Sequence, residues 1–288
     1  RAERLTALAD ELGTTSCSVD DVLKDSMITA VVIAAPAMAH VALAEQAMSA
    51  GKAVWLEKPA ALSRDGMERL IAAESRHGVH VMVGHVMRYD ENVEALHDLV
   101  SQGALGDLIR VEGDRTAPGR LRTDENVLMG FGPHALSIML PLIGDEKLAD
   151  LRVVGRTGQA LVNPAAGHID AAHITLACGD NLRLSLDLSW LHPQRRRCTT
   201  VIGTNAMAVL DELAPPGHRL KIINYAIKNL DHHRDPELIL DAPYYIETHE
   251  EPPLTRQCRD FIRCLQTQDR PRTGLLQAKA GLDILWSE

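Results

Sequence analysis

The chain has 288 residues, enough for one large hydrophobic core or two ordinary ones. Its 45% hydrophobic and 24% charged residues match folded globular proteins, and no apolar run approaches a membrane span. A formal net charge of −9 and only 3% aromatic residues exclude a nucleic-acid surface, which needs clustered cations and stacking rings.

Residues 1–12 carry Leu5, Leu8 and Leu12 on one stripe, the spacing of an amphipathic helix. The chain opens Arg-Ala-Glu-Arg, on a helix with no strand before it, and a truncated start is expected. Residues 30–35 (AVVIAA) form a continuous apolar run, as for a strand buried on both faces of a parallel sheet, and Pro36 ends it. An Ala- and Leu-rich helix follows over 37–50, closed by Gly51. Next come a strand at 53–56, a helix from the Ser63 N-cap to His77, Gly78 as its stop, and a strand at 80–83. This alternation with short connections implies right-handed βαβ units and a parallel sheet.

Past residue 85 the pattern changes. A helix is predicted over 90–102, then strands at 108–115, 151–157, 171–178, 182–190, 197–203 and 206–211, with closing helices at 252–267 and 273–286. Cys178-Gly179-Asp180-Asn181 reads as a hairpin turn, and the alternation of Leu182, Leu184, Leu186 and Leu188 suits an antiparallel sheet with one covered face. The fold class is therefore α/β, with a parallel half over 1–86 and a mostly antiparallel α+β half over 87–288. The five cysteines form no C-x-x-C pair, so neither a zinc site nor a disulfide framework is indicated. With no signal-peptide pattern in view, reduced thiols in a cytoplasmic protein are expected.

The stretch Val54-Trp55-Leu56-Glu57-Lys58-Pro59 carries an apolar strand to its end and stops on an acid, a base and a proline. The carboxyl edge of a parallel sheet is where α/β proteins hold ligands. Lys58 is a proton donor able to reach a crevice there, and Pro59 is a candidate for a cis bond in a tight turn. His134, in Gly130-Phe131-Gly132-Pro133-His134, precedes an apolar helix running through Ile138 and Leu142. Pro133 is expected at that helix's first turn or kinking it just before. The dipole at the helix N-terminus would keep the imidazole neutral and able to take a proton. Capping or packing is the competing account for one histidine among thirteen.

Other clusters are weaker. Asp231-His232-His233-Arg234-Asp235 has metal-ligand residue types, but adjacent side chains diverge, and no metal site is expected. Arg195-Arg196-Arg197 could meet a phosphate, or could be a solvated strand edge that blocks pairing. No G-x-S-x-G, G-x-G-x-x-G or Walker pattern is present.

Taken in order, several motifs resemble the Gfo/Idh/MocA oxidoreductase family across nearly the whole chain. Val31-Val32-Ile33-Ala34-Ala35-Pro36 with His40 is similar to the family's strand and turn beside the cofactor, and Glu57-Lys58-Pro59 to its hallmark. Gly84-His85-Val86-Met87-Arg88-Tyr89 resembles the G-H-x-x-R-F exit from the first domain. Gly106-Asp107-Leu108 and Gly203-Thr204-Asn205 resemble the turns of the second sheet.

The resemblance implies a Rossmann domain over 1–86, here incomplete, and a C-terminal domain over 87–288 with an open sheet used for substrate and for homo-dimer or homo-tetramer contacts. It implies hydride transfer between NAD or NADP and a hydroxyl of a sugar, polyol or nucleotide-linked sugar, with no metal. Lys58 and His134 would be catalytic, with Lys58 also touching the cofactor, and Ala35, Pro36, His40, Glu57 and Arg88 would line the cofactor crevice. The family's first strand, glycine loop and following acid would all precede Arg1, so cofactor binding by this chain is expected to be weak or absent. Many members carry aspartates four residues before the histidine and three after; here those positions are Gly130 and Ser137. The stretch from Arg122 to His134 is most similar to the sugar-nucleotide 3-dehydrogenase branch, which makes Arg122 and Asn126 candidate substrate contacts beside His134. A non-catalytic relative that binds a sugar or a partner chain is the alternative.

Overall fold

A computed structural model of the chain describes residues 2–118, 126–162, 167–228, 237–249 and 251–287. Its first part runs α1 (Ala2–Leu12), α2 (Val19–Lys24), β1 (Ala30–Ile33), α3 (His40–Ser49), β2 (Ala53–Leu56), α4 (Arg64–His77), β3 (Val81–Val83) and α5 (Glu91–Ser101). The second runs β4 (Leu108–Thr116), α6 (Val127–Ile143), β5 (Leu151–Gln159), β6 (Ala171–Cys178), β7 (Leu182–Ser189), β8 (Arg196–Gly203) and β9 (Ala206–Asp211). It continues through β10 (Leu220–Lys228), β11 (Glu237–Leu240) and β12 (Tyr244–Ile246), and α7 (Pro253–Thr267) and α8 (Leu275–Trp286) close the chain.

Strands β1, β2 and β3 form a three-stranded parallel sheet in that order, the arrangement expected from the βαβ pattern. Ser63 caps α4 by accepting from the Gly66 N–H, and Gly78 ends it in the left-handed region at φ 64°. Strand β2 is buried along its whole length, lying between β1 and β3 with α3 packed on it. The expectation of full burial fails for β1: Val32 is 60% exposed, since β1 is an edge strand whose outer face no described element covers. Leu5, Leu8 and Leu12 of α1 are exposed as well, while Ala9 is buried.

The second sheet has nine strands in the order β11-β10-β9-β8-β4-β7-β6-β5, with β12 on β10. All its pairs are antiparallel except β4 with β7. Such a pair requires a crossover, and α6 lies within the chain that joins the two strands. The Cys178–Asn181 hairpin forms as its residues suggest, with Gly179 at φ 57°. Strands β10 to β12 and helix α2 were not legible beforehand. Helix α2 is only 6 residues long and owes its start to a Ser18–Asp21 capping box.

Helix α6 begins at Val127, well before His134, with Asn126 as its N-cap and Pro133 inside it. Pro133 neither opens the helix nor precedes it. The ring removes only the N–H that would reach the Met129 carbonyl, and burial of Leu136, Ile138 and Met139 at 0% exposure carries the helix through the break. Each such side chain contributes about 1.5–3 kcal/mol of burial free energy, comparable to the cost of the proline. One contiguous core joins both sheets through α6 and α8.

Helices α7 and α8, expected with the second sheet, pack on the first. Thr273 brackets Val83, its hydroxyl donating to the Val83 carbonyl at 2.8 Å and its carbonyl accepting from the Val83 N–H at 2.6 Å. Phe261 meets Trp55 edge-on at 5.8 Å between ring centroids. The C-terminal end of the first sheet is thereby held against α6.

Candidate active site

A cavity of about 650 Å³ opens where the ends of β1 and β2 face α6 and the second sheet. One wall comes from the first sheet and includes Ala35, Pro36, His40, Lys58 and Pro59. Opposite it stand Gly130, Phe131 and His134 of α6, Trp190 after β7, and a group of arginines with Glu212 from the second sheet.

The Lys58–Pro59 peptide bond is cis, as its place at a strand end suggested. Lys58 Nζ donates to the Gly130 carbonyl oxygen at 3.3 Å, one helical turn before His134. Lys58 and His134 thus line one space although far apart in sequence. The His134 imidazole is held down to about 2, first by burial, then by the Lys58 and Arg115 cations, with His85 and Arg197 adding to it. Neutrality was expected, but from a helix terminus. His134 lies in the helix interior, and desolvation with cationic neighbours is the cause.

His40 is 1% exposed, and its ring lies between two backbone carbonyls: Nδ1 is 2.8 Å from the Pro59 oxygen and Nε2 2.8 Å from the Ala35 oxygen. A neutral imidazole donates to one of these at a time. The ring ties the turn after β1 to the turn after β2, so it shapes the crevice wall through the backbone.

Three candidates lie elsewhere. Glu57 is outside the cavity lining, and its carboxylate sits over Gly84, where a Cβ would come within 2.9 Å of either oxygen. Glycine at 84 is what admits it. Arg88 faces a smaller recess on the other side of α6, beside His85, Ser137 and Arg272, and not the main cavity. Burial and the neighbouring Arg272 lower its pKa. Asn126 spends its Oδ1 on the helix cap, accepting from the Met129 N–H at 3.0 Å, and does not line the cavity. Arg122 lies outside the described residues, as does the Asp231–Asp235 cluster. Among the described residues no group of three or more His, Cys, Asp or Glu side chains could hold a metal ion.

Gly130 and Ser137 occupy the positions where the resemblance leads one to expect aspartates, and the structure accounts for both. A Cβ at 130 would stand 2.9 Å from Trp190 Cζ2, so the indole fills the space. Phe131 holds that indole in an edge-to-face contact at 6.2 Å. The Ser137 hydroxyl donates to the His134 carbonyl at 2.8 Å, which keeps it in the helix and away from the imidazole.

Arg115, Arg195, Arg196, Arg197 and Glu212 complete the lining, and of these only the 195–197 run was noticed in the sequence, with a solvated edge as one reading. The available signal was position: Arg115 and Thr116 end β4, and β8 begins at Arg196. Arg115 pairs with Glu212 in a salt bridge whose side chains are 7% and 8% exposed, with Nη1 donating at 3.3 Å. Burial raises the Glu212 pKa against the opposing pull of Arg115.

Residues 1–85 match the profile of an oxidoreductase family with an NAD-binding Rossmann fold, and residues 93–209 match the GFO/IDH/MocA C-terminal domain. An uncharacterized oxidoreductase, YrbE of Bacillus subtilis, is 27% identical over 277 residues, covering 88% of this chain and 79% of its own. The UDP-N-acetylglucosamine 3-dehydrogenase of Acidithiobacillus ferrooxidans is 36% identical over 157 residues, 54% of this chain, which spans 48% of that relative's length. A solved structure of that enzyme superposes with a TM-score of 0.79 at 23% identity, over 99% of this chain and 85% of its own, and shares the fold. With both of the family's domains matched in order over most of its length, the chain belongs to the Gfo/Idh/MocA oxidoreductase family.

Proposed function

We propose that the cavity is the site of hydride transfer between NAD or NADP and a hydroxyl of a sugar, polyol or nucleotide-linked sugar, with His134 handling the proton and Lys58 positioning the oxygen. The observation that carries this reading is the convergence of Lys58 and His134 on one cavity at the carboxyl edge of a parallel sheet.

The residues at the strand ends suit the nicotinamide end of the cofactor. Ala35 and Pro36 present a flat, small-residue wall at the end of β1, and the His40 bridge holds it open beside Lys58. Among the described residues no glycine-rich turn offers a cradle for the pyrophosphate. Bound nicotinamide supplies the hydride acceptor for oxidation or the donor for reduction. The remaining work falls to this chain. His134, neutral here, has a ring nitrogen that can take the hydroxyl proton as hydride leaves, and its low pKa favours giving that proton back during reduction. The Lys58 ammonium, anchored on Gly130, steadies the negative charge that builds on the oxygen between the two transfers.

The reading extends to a division of labour, with residues 1–86 serving the cofactor and 87–288 the substrate. It extends also to a cytoplasmic homo-oligomer. All five cysteines are free thiols, no helix among the described residues is long and apolar enough to cross a membrane, and the open nine-stranded sheet offers a face for self-association.

Absorbance of reduced nicotinamide, followed as sugars, polyols and sugar nucleotides are offered with NAD and NADP, tests the reading. Turnover on at least one class supports it. Silence across all classes, with cofactor bound, overturns it.

A further inference from the structure

Strands β4 and β8 pair in a register that sets Arg115 directly opposite Arg197. Like charges in that relation repel and destabilise a sheet. One carboxylate, Glu212, stands beside both. Its oxygens are committed to Arg115, while its backbone N–H donates to the Arg197 carbonyl at 3.0 Å. Arg196, between them in sequence, pairs with Asp114 at 2.7 Å. Arg195 and Arg197 have no salt bridge among the described residues, yet both line the cavity. Among the described residues, Arg115, Arg195 and Arg197 thus bring three guanidinium groups to this space against the single carboxylate of Glu212, in a chain whose formal net charge is −9.

The segment is also held in place. The Thr116 hydroxyl donates to the Gln194 carbonyl at 2.9 Å, fastening the turn before β8 to the end of β4. Burial and the Arg195 cation lower the Arg197 pKa, with Glu212 opposing them and Arg115 adding to the lowering.

Arg195 immediately precedes β8 and Arg197 lies at its start, and both border the same cavity. Two forked donors on one wall can grip adjacent phosphoryl groups, more than a single carboxylate needs.

We propose that Arg195 and Arg197 form an anion-recognition edge of the substrate cavity and select a diphosphate-linked sugar over a neutral polyol. The inference rests on the hydride-transfer reading only for what happens after binding. Binding itself needs no nicotinamide.

Titration calorimetry of the 288-residue chain with UDP, without nicotinamide and at two salt concentrations, tests it. The chain should bind UDP, more weakly at high salt, and Arg195→Gln and Arg197→Gln should each weaken binding roughly tenfold, or about 1.4 kcal/mol. The ligand-free melting temperature of Arg197→Gln should equal or exceed the parent's, because the like charge facing Arg115 is gone. A UDP-linked sugar and inorganic pyrophosphate should show the same arginine dependence.

Equal UDP binding by parent and double variant, or no binding by the parent, overturns the proposal. So does a fall in melting temperature alongside lost binding, which would make the arginines structural. Arginine dependence confined to NADP would assign the anion to the cofactor and overturn it as well. Arginine-dependent UDP binding without turnover on any sugar keeps the anion site and removes the dehydrogenase reading. Turnover with arginine-independent UDP binding does the reverse.

Discussion

Lys58 Nζ donates to the Gly130 carbonyl oxygen at 3.3 Å, so the end of β2 is fastened to the helix that carries His134. The bond does two things at once. It fixes the ammonium at the cavity wall, and it links the parallel sheet to α6 across the site. Movement of either element would separate the two groups proposed to act together.

Lys58→Ala and His134→Ala should each lower kcat/KM by about 10²–10⁴, the range for loss of a positioned proton-transfer or charge-stabilising group. Circular dichroism melts should stay close to the parent's, because both side chains border a cavity. Near-parental rates in both variants would show that the chemistry lies elsewhere.

Gly130→Ala should destabilise the chain by about 1–3 kcal/mol, because its Cβ would press on Trp190 Cζ2 at 2.9 Å. Trp190→Phe should relieve part of that cost, so the double variant should be more stable than the sum of the two single changes allows. Chemical denaturation of the four proteins reads the coupling. Strict additivity would mean that the indole does not exclude a side chain at 130.

Acid should unfold the chain in a way that two histidines explain. Burial, with Lys58 and Arg88 next, lowers His85 to about 4, and His134 is lowered to about 2. Both are below the unfolded value of about 6.5, so the unfolded chain binds more protons in acid. Their contribution is fully present above about pH 6.5 and is lost as pH falls toward the folded values. Each histidine steepens the decline by about 1.4 kcal/mol per pH unit below pH 6.5. His85→Asn should flatten the plot of unfolding free energy against pH between 6 and about 4.5, with little change near pH 8. A parallel plot would show that His85 is free to protonate in the folded chain.

Glu212→Gln should cost about 3–5 kcal/mol, because Arg115 would keep its buried charge and lose its counter-ion while still facing Arg197. Replacing Arg115 by Met and Glu212 by Leu together should cost much less, since both charges leave the interior. Equal losses would argue that packing, and not charge, holds this corner.

Local order determined much of this protein. Alternating apolar runs and helix stops marked β1, β2, β3 and the helices between them, because a parallel sheet writes a periodic signal into consecutive residues. Glu57-Lys58-Pro59 could be placed at a strand end for the same reason, and His134 drew notice from the glycines and proline around it. The start of α6 was misjudged, since burial of the helix outweighs its interior prolines, Pro133 and Pro141, and burial depends on partners far along the chain.

Tertiary structure alone decided the rest. It turned Glu57 toward Gly84 and Arg88 toward a separate recess, and it committed Asn126 to a cap. It brought α7 and α8 back onto the first sheet. It also set Arg115 across from Arg197, which no spacing in the sequence records. Periodicity reports which face of an element is apolar. Which charges meet across a sheet depends on register and pairing, and these are settled when distant strands pack on a shared core.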